Sequence, residues 1–228
     1  MCITPMNEIG FYNIEYLTYA DYVGTFTFAI SGALAAQKRS FDVFGVIVVA
    51  FLTAMGGGTI RDVVLGIQPV TWVTQPIYFL IIIMAVISVA ITNIFSRDTM
   101  KNSMVFFDAF GLAVFTIIGA QVAMLHPSPT FPVVIVMGVV TGVAGGVLRD
   151  VVCNEVPLIF QKEIYASAAA LGAAIYYFLV SFNVSPFFSL LIPLLSTLGL
   201  RLFSHYLNWS LPILTSLEHN SHQKDKDH

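Results

Sequence analysis

The chain has 228 residues, of which 57% are hydrophobic and only 10% are charged. Soluble domains carry about 25% charged residues, so this composition excludes an ordinary soluble protein and predicts an α-helical protein that crosses a membrane several times. Ten Lys and Arg residues against 13 Asp and Glu residues leave no basic excess, so we expect membrane lipid and no nucleic acid among its partners.

Stretches without Asp, Glu, Lys or Arg locate the predicted membrane spans. Clusters of Gly and Pro divide the longer stretches, as between Gly66 and Pro69. Because a helix needs about 20 apolar residues to cross a bilayer, the pattern predicts seven transmembrane helices. The predicted spans are 17–37, 41–66, 77–95, 104–125, 132–154, 163–181 and 187–209.

The loops and ends of the chain predict its orientation. Basic residues fall in alternate loops, and basic loops stay in the cytoplasm, so we expect an extracytoplasmic segment over 1–16 and a polar cytoplasmic tail over 211–228. The first residues lack a basic region, which predicts no cleavable signal peptide. On this topology Cys2 and Cys153 lie at opposite faces and form no disulfide. The basic residues concerned are Lys38, Arg39, Arg97, Lys101, Lys162, Lys224 and Lys226.

The chain repeats itself at an offset of 87 or 88 residues. The spacing D-x2-G-x7-G begins at Asp21 and again at Asp108. Segment 53–64 is identical to segment 141–152 at seven of twelve positions, and both contain Gly-Gly-x-x-Arg-Asp-Val-Val. Apolar composition alone does not produce such agreement, so we infer an internal duplication.

The duplication determines the predicted architecture. Each copy holds three predicted helices, and an odd number inverts the second copy in the membrane relative to the first. We therefore predict an all-α membrane protein with two inverted three-helix repeats plus a seventh helix. The predicted boundaries are 17–98 for the first repeat, 99–185 for the second and 186–210 for the seventh helix.

Glycines in the middle of two predicted spans indicate a pathway. Gly56, Gly57 and Gly58 lie in the second span, and Gly145 and Gly146 lie in the fifth. Glycine costs about 1 kcal/mol in a helix interior relative to Ala, so we expect the glycines to kink or unwind these helices. Open backbone inside a bilayer is tolerated against protein or a water-filled cavity, where its carbonyls coordinate cations. The alternative is that the glycines only permit close helix packing.

Charged residues directly follow these glycines. Intramembrane charges are functional by default, which predicts a gating role for this set. The alternative is a static ion-pair network that locks the helices together. Neighbouring residues on a helix point to different sides, so Arg61 need not pair with Asp62, and Asp21 and Asp108 on other helices are candidate partners. The set comprises Arg61, Arg149 and four candidate counter-ions, Asp21, Asp62, Asp108 and Asp150.

Other polar residues have two interpretations each. Ser31, Thr53 and Thr141 could line a polar path, although such hydroxyls commonly bond to their own i−4 carbonyl. We expect Arg201 to extend to the inner interface, and Trp72 and Trp209 to lie in the interfacial aromatic belt. The sequence lacks HExxH, GxSxG and P-loop signatures, so we expect no enzyme, no cofactor and no resident metal.

The two glycine motifs, Gly-Gly-Gly-Thr-Ile-Arg-Asp and Gly-Val-Ala-Gly-Gly-Val-Leu-Arg-Asp, resemble those of the trimeric intracellular cation (TRIC) channel family. The resemblance is strongest to prokaryotic members, whose repeat is also catalogued as a glycine transporter domain. It covers about residues 17–210. Arg61-Asp62-Val63 stands where animal members carry Lys-Glu-Val, so their lipid and calcium regulation is not carried over.

The resemblance implies a function. It implies a homotrimer in the inner membrane with one pore per protomer, lined by glycine-kinked second and fifth spans. It implies passive flux of a monovalent cation, K⁺ or Na⁺ with K⁺ preferred, which would be held transiently at the glycine kinks. The inverted repeat equally permits a secondary transporter of a small solute such as glycine.

Overall fold

The structure, a computed structural model, describes residues 14–92, 97–161 and 164–207. Within these ranges the chain forms eight α-helices and one 3₁₀ turn, Leu158–Phe160. The predicted tail and Trp209 lie outside the described residues, as does most of the predicted N-terminal segment. The helices are α1 (Ile14–Lys38), α2 (Val43–Val64), α3 (Thr71–Thr74), α4 (Ile77–Ile91), α5 (Arg97–Met124), α6 (Phe131–Val152), α7 (Ala166–Ser181) and α8 (Pro186–Tyr206).

The protein is an all-helical membrane protein. Four helices within the described residues are long and apolar enough to cross a bilayer: Val43–Val64, Asn102–Met124, Phe131–Val152 and Pro186–Tyr206. Helices α4 and α7 are also apolar but have only 15 and 16 residues. Large apolar side chains are exposed around the outside of the molecule, Phe44 and Ile91 among them. Such a surface suits lipid, because a helix satisfies its own backbone hydrogen bonds there.

Helices α1, α2, α5 and α6 pack against one another at the centre of the molecule. Helix α4 covers α1 and α2, while α7 covers α5 and α6, and α8 packs against α5 and α7. We call α1–α4 the first half and α5–α7 the second half, with α8 following them. Small residues permit the close approach of these helices. A β-carbon on Gly111, for example, would collide with the ring of Phe28.

Helices α2 and α6 end in the same way. The residue after each helix's last turn, Gly66 or Asn154, adopts a left-handed conformation with φ of 70° or 53°. Gly and Asn tolerate this conformation best. The next backbone N–H then reaches back to the carbonyl of Asp62 or Asp150 at 2.8 Å, which is the Schellman closure of a helix. The same chemistry therefore stops both helices 88 residues apart.

A short helix that the sequence did not predict follows α2. Helix α3 has four residues, and both the backbone N–H and the hydroxyl of Thr71 donate hydrogen bonds to the Asp62 carboxylate, at 3.0 and 2.8 Å. The 3₁₀ turn after α6 is held similarly, because the N–H of Leu158 donates to the Asp150 carboxylate at 3.1 Å. The carboxylates of Asp62 and Asp150, which lie earlier in the chain, therefore stabilise these turns. A local hydrophobic periodicity does not.

An exposed ionic clamp joins the end of α1 to the end of α6. Glu155 accepts from the Lys38 ammonium at 3.3 Å and from the Arg39 guanidinium at 2.6 Å. Arg39 also donates to the carbonyl of Asn154 at 3.2 Å. Exposed ion pairs contribute little, because water already solvates both partners.

We expect Glu155→Gln to lower the free energy of unfolding by no more than about 1 kcal/mol. The small loss should shrink further at high salt, where screening removes the attraction. Thermal unfolding in detergent at low and high salt measures both effects. A loss of several kcal/mol would contradict the prediction and give the clamp a structural role.

Candidate functional site

The mid-span glycines bring α2 and α6 into direct backbone contact. A β-carbon on Gly57 would collide with the carbonyl oxygen of Thr141, and one on Gly145 would collide with the carbonyl oxygen of Thr53. The two contacts are equivalent, since both members of each pair shift by 88 residues. A glycine of each helix therefore rests on the backbone of the other.

The structure corrects the expectation that these glycines unwind their helices. Both α2 and α6 are α-helical throughout, and none of the five glycines has a positive φ. The helical conformation survives because the close contact between the helices compensates the low helix propensity of glycine. In this structure Gly57 and Gly145 act at a packing contact between two intact helices.

The two threonines of this contact use their hydroxyls locally. Thr53 donates to the carbonyl of Val49, and Thr141 to that of Met137, each at 2.6 Å. Both threonines are buried between helices. At both positions the threonine hydroxyl therefore bonds to its own i−4 carbonyl, which was the alternative to lining a polar path.

A buried ionic network, which we call the Arg149 network, occupies the second half. The Arg149 guanidinium, 0% exposed, donates to Asp108 at 2.6 Å, to Asp150 at 2.8 Å and to the hydroxyl of Ser31 at 2.7 Å. Ser31 belongs to α1, so the network joins the two halves. One oxygen of Asp108 and one guanidinium nitrogen of Arg149 are buried without a hydrogen bond.

The corresponding pair in the first half is simpler. Arg61 donates twice to one oxygen of Asp62, from Nε at 2.9 Å and from Nη2 at 2.7 Å. The other oxygen of Asp62 accepts both bonds from Thr71. Of the candidate counter-ions, Arg61 therefore pairs with Asp62 on its own helix, whereas Arg149 pairs with Asp150 on its own helix and with Asp108 on α5. The flexible Arg side chain reaches the neighbouring carboxylate despite the different directions of the two Cβ atoms.

Two tyrosines that sequence reasoning did not single out contact the aspartates Asp21 and Asp108. The hydroxyl of Tyr78 donates to Asp21, and that of Tyr165 donates to Asp108 at 3.4 Å. Both rings are almost completely buried. The tyrosines lie 87 residues apart, as the two aspartates do, and this shared offset is the signal that could have identified them.

A small cavity, with room for about one water molecule, lies in the first half beside Arg61. Asp21 and Tyr78 border it from α1 and α4, and Gly58 and Thr59 border it from α2. Trp72, expected at the interface, also borders the cavity and donates from Nε1 to the hydroxyl of Thr59 at 3.0 Å. We call this space the first-half cavity. The remaining lining residues are Ala54, Met55, Asp62, Thr71 and Phe115.

Arg201 does not extend to the interface. Its side chain is fully buried, and its guanidinium carbon lies 4.9 Å from the centre of the Tyr165 ring, a cation–π contact. The expectation failed because α8 packs against α5 and α7, which places Arg201 over a buried ring. Helix α8 thus adds a positive charge next to the Arg149 network.

The remaining glycines differ in the space around them. A β-carbon on Gly58 would meet only Arg61 Nη2, at 3.7 Å, so this position faces open space. A β-carbon on Gly56 would collide with Leu148, and one on Gly146 would lie 2.6 Å from the hydroxyl of Tyr165. Gly58 therefore borders the cavity, while Gly56 and Gly146 make room for side chains.

The arrangement is suited to holding charge inside the molecule. Among the described residues, no cluster of three or more His, Cys, Asp or Glu side chains is placed to bind a metal ion. Carboxylates, hydroxyls and aromatic rings border a cavity between helices, which is the usual environment of an ion or small polar solute in a membrane protein.

Comparison with known proteins identifies relatives that are also membrane proteins. The family model described as glycine transporter matches the chain twice, at residues 18–93 and 105–181. A UPF0126 membrane protein of Vibrio cholerae is 38% identical over 195 residues, which cover 84% of this chain and 80% of the relative. The UPF0126 inner membrane protein YadS of Escherichia coli is 41% identical over 161 residues, which cover 69% of this chain and 76% of the relative.

A solved structure shares the fold. The TRIC trimeric intracellular cation channel orthologue from Rhodobacter sphaeroides superimposes with a TM-score of 0.80 at 32% sequence identity. The match covers 85% of this chain and 98% of the orthologue. The similarity thus extends over the helices that form the ionic network and the cavity.

Proposed function

The chain belongs to the glycine transporter family and has the fold of TRIC cation channels, and on this premise we propose that it is a passive monovalent cation channel that prefers K⁺. The observation that carries the proposal is the first-half cavity, where an intramembrane carboxylate, Asp21, borders space between five helices, α1 to α5. A cavity with a carboxylate attracts cations and repels anions.

We propose seven transmembrane helices arranged as two inverted repeats, 17–98 and 99–185, with a seventh helix over 186–210. The two matches of one family model support the duplication. The reciprocal contacts of Gly57 and Gly145 support a two-fold relation between α2 and α6. The Escherichia coli relative, a UPF0126 inner membrane protein, supports an inner-membrane location, and alternation of basic loops supports an outside N-terminus and a cytoplasmic C-terminus.

The ion path runs between α1, α2, α5 and α6 in this proposal. Gly58 borders its open part, and the contact of Gly57 and Gly145 with the two threonines closes it near the middle of the membrane. Conduction requires α2 and α6 to separate at this contact. Movement of Arg61 or Arg149 in the membrane field, about 2.3 kcal/mol per charge per 100 mV, supplies a driving force for gating.

The protein assembles as a homotrimer with one path in each protomer, by analogy with the trimeric orthologue. Helices associate in lipid through small residues and polar contacts. Mass measurement in detergent tests this assembly. A stable monomer or dimer contradicts the trimer without contradicting a path within each protomer.

Recordings from the purified protein in planar bilayers test the function. Under a KCl gradient we expect unitary current steps that reverse near the K⁺ equilibrium potential. A Gly58→Leu variant should lower the unitary conductance severalfold, because the larger side chain enters the cavity. Val63→Leu, on an exposed surface of the same helix, is the matched control and should conduct like the parent.

A secondary transporter of a small solute such as glycine is the alternative, which the description of the family model favours. Arg61 and Asp21 border one cavity and could bind the carboxylate and ammonium groups of an amino acid. Saturable, coupled uptake of glycine into vesicles without current steps would establish the transporter and refute the channel.

A further inference from the structure

We propose that the first-half cavity holds one monovalent cation at Asp21, and that this cation takes the electrostatic place that Arg201 fills in the second half. The inference rests on the proposed function and deepens it by naming where the ion is held. It follows from comparing the charges of the two halves.

The second half has balanced charges. Two carboxylates, Asp108 and Asp150, are held by the Arg149 guanidinium at 2.6 and 2.8 Å. Arg201 lies over the Tyr165 ring, whose hydroxyl contacts Asp108. Two negative charges therefore face two positive charges, and the group is electrically neutral.

The first half lacks one positive charge. Asp21 and Asp62 correspond to Asp108 and Asp150. Among the described residues that line the cavity, Arg61 is the only arginine beside these two aspartates. Both oxygens of Asp62 are already occupied, one by Arg61 and the other by Thr71. The uncompensated charge therefore belongs to Asp21, whose known partner is the neutral hydroxyl of Tyr78.

The protein itself offers no second guanidinium at this place. Helix α5 follows α4 in the chain as α8 follows α7, and the residue 87 positions before Arg201 is Val114. Its neighbour Phe115 presents an aromatic ring to the cavity where the second half has a charge. The first half therefore has a cavity near the place where the second half has Arg201, and it lacks one positive charge there.

The lining favours a monovalent cation. A single carboxylate supplies one negative charge, so a divalent ion would leave an excess positive charge beside Arg61. The hydroxyl of Thr59 supplies a further oxygen at the cavity wall, which Trp72 and Phe115 also border. An anion meets Asp21 and is excluded.

Thermal unfolding of the full chain in detergent tests the site, with K⁺ replaced by N-methyl-D-glucamine at constant ionic strength. The large organic cation does not fit the cavity. We expect K⁺ to raise the unfolding temperature of the parent by roughly 3 °C. Asp21→Asn should lose this rise. Asp42→Asn removes the same charge at the exposed start of α2, where it caps Gly45, and should keep it.

A second variant places a fixed charge in the cavity. Gly58→Lys introduces an ammonium at a position with open space. It should make the unfolding temperature independent of K⁺, because the ammonium group supplies the positive charge that the cation would otherwise provide. This variant decides the question if Asp21→Asn fails to fold.

Several results would overturn the proposal. Equal unfolding temperatures of the parent in K⁺ and in N-methyl-D-glucamine would show that Asp21 carries a proton instead of binding a metal cation. A K⁺-dependent rise that survives Asp21→Asn or Gly58→Lys would place the cation elsewhere.

Bilayer recordings on the same preparations separate this proposal from the channel function. A parent that conducts without stabilisation by K⁺ refutes the cation site alone. A parent that K⁺ stabilises through Asp21 but that passes no current supports the site and refutes the channel.

Discussion

An Arg149→Gln variant will lose most of its folded protein, whereas Arg61→Gln will keep a large part of it. Arg149 is completely buried and serves two carboxylates and Ser31. Removing one member of a buried ion pair costs about 3–5 kcal/mol, because the remaining charge has no compensation. Asp108 would be that charge, and one of its oxygens already has no hydrogen bond.

Arg61→Gln is the matched comparison at the equivalent position of the first half. Asp62 would keep its two hydrogen bonds from Thr71, and the Gln amide can donate one more. We expect a loss of about 1–3 kcal/mol. Size-exclusion yield and thermal unfolding in detergent measure both variants. Equal losses of unfolding free energy in Arg61→Gln and Arg149→Gln would contradict the prediction that the two arginines differ in their importance for folding.

Gly57→Ala will destabilise the protein, and Gly58→Ala one residue later will not. The new methyl group at Gly57 collides with the backbone oxygen of Thr141, so α2 and α6 must move apart. Overpacking of this kind costs about 1–3 kcal/mol or more. At Gly58 the methyl group has room, and Ala favours the helix over Gly by about 1 kcal/mol.

The free energies of unfolding of the two Ala variants, measured in detergent, decide the matter. Gly145→Ala provides an independent check, because its β-carbon meets the carbonyl oxygen of Thr53. It should behave like Gly57→Ala. If all three variants unfold alike, the contact between α2 and α6 is not the tight one described above.

The helix boundaries could largely be predicted from sequence because local chemistry sets them. Gly66 terminates α2 through its left-handed conformation, and the predicted span 41–66 ends there. Segment 132–154 likewise closely matches α6. Charge-free stretches are long and their breaks are rich in Gly and Pro, so both signals are visible without tertiary contacts.

The geometry of the site required tertiary information. Tyr78 and Tyr165 look like interfacial residues in a hydropathy pattern, and only packing turns them towards Asp21 and Asp108. Arg201 lies near one end of an apolar helix, where an exposed head group is the ordinary expectation. Its side chain lies over the ring of Tyr165, the residue that directly precedes α7.

The glycines show a different reason for failure. Propensity describes the cost of Gly in an isolated helix, and it correctly marks Gly57 and Gly145 as unusual. It does not include the energy gained when two backbones approach. Sequence therefore located the positions of interest and misjudged their conformation.

The reciprocal glycine contact also limits which second mutations can compensate for a mutation at Gly57. The obstacle to a side chain at Gly57 is a backbone oxygen, which every amino acid at position 141 would carry. No exchange at 141 can therefore act as a local suppressor of a Gly57 mutation. Second-site revertants must instead change how α2 and α6 are seated against their other neighbours, so reversion at this pair depends on the surrounding bundle.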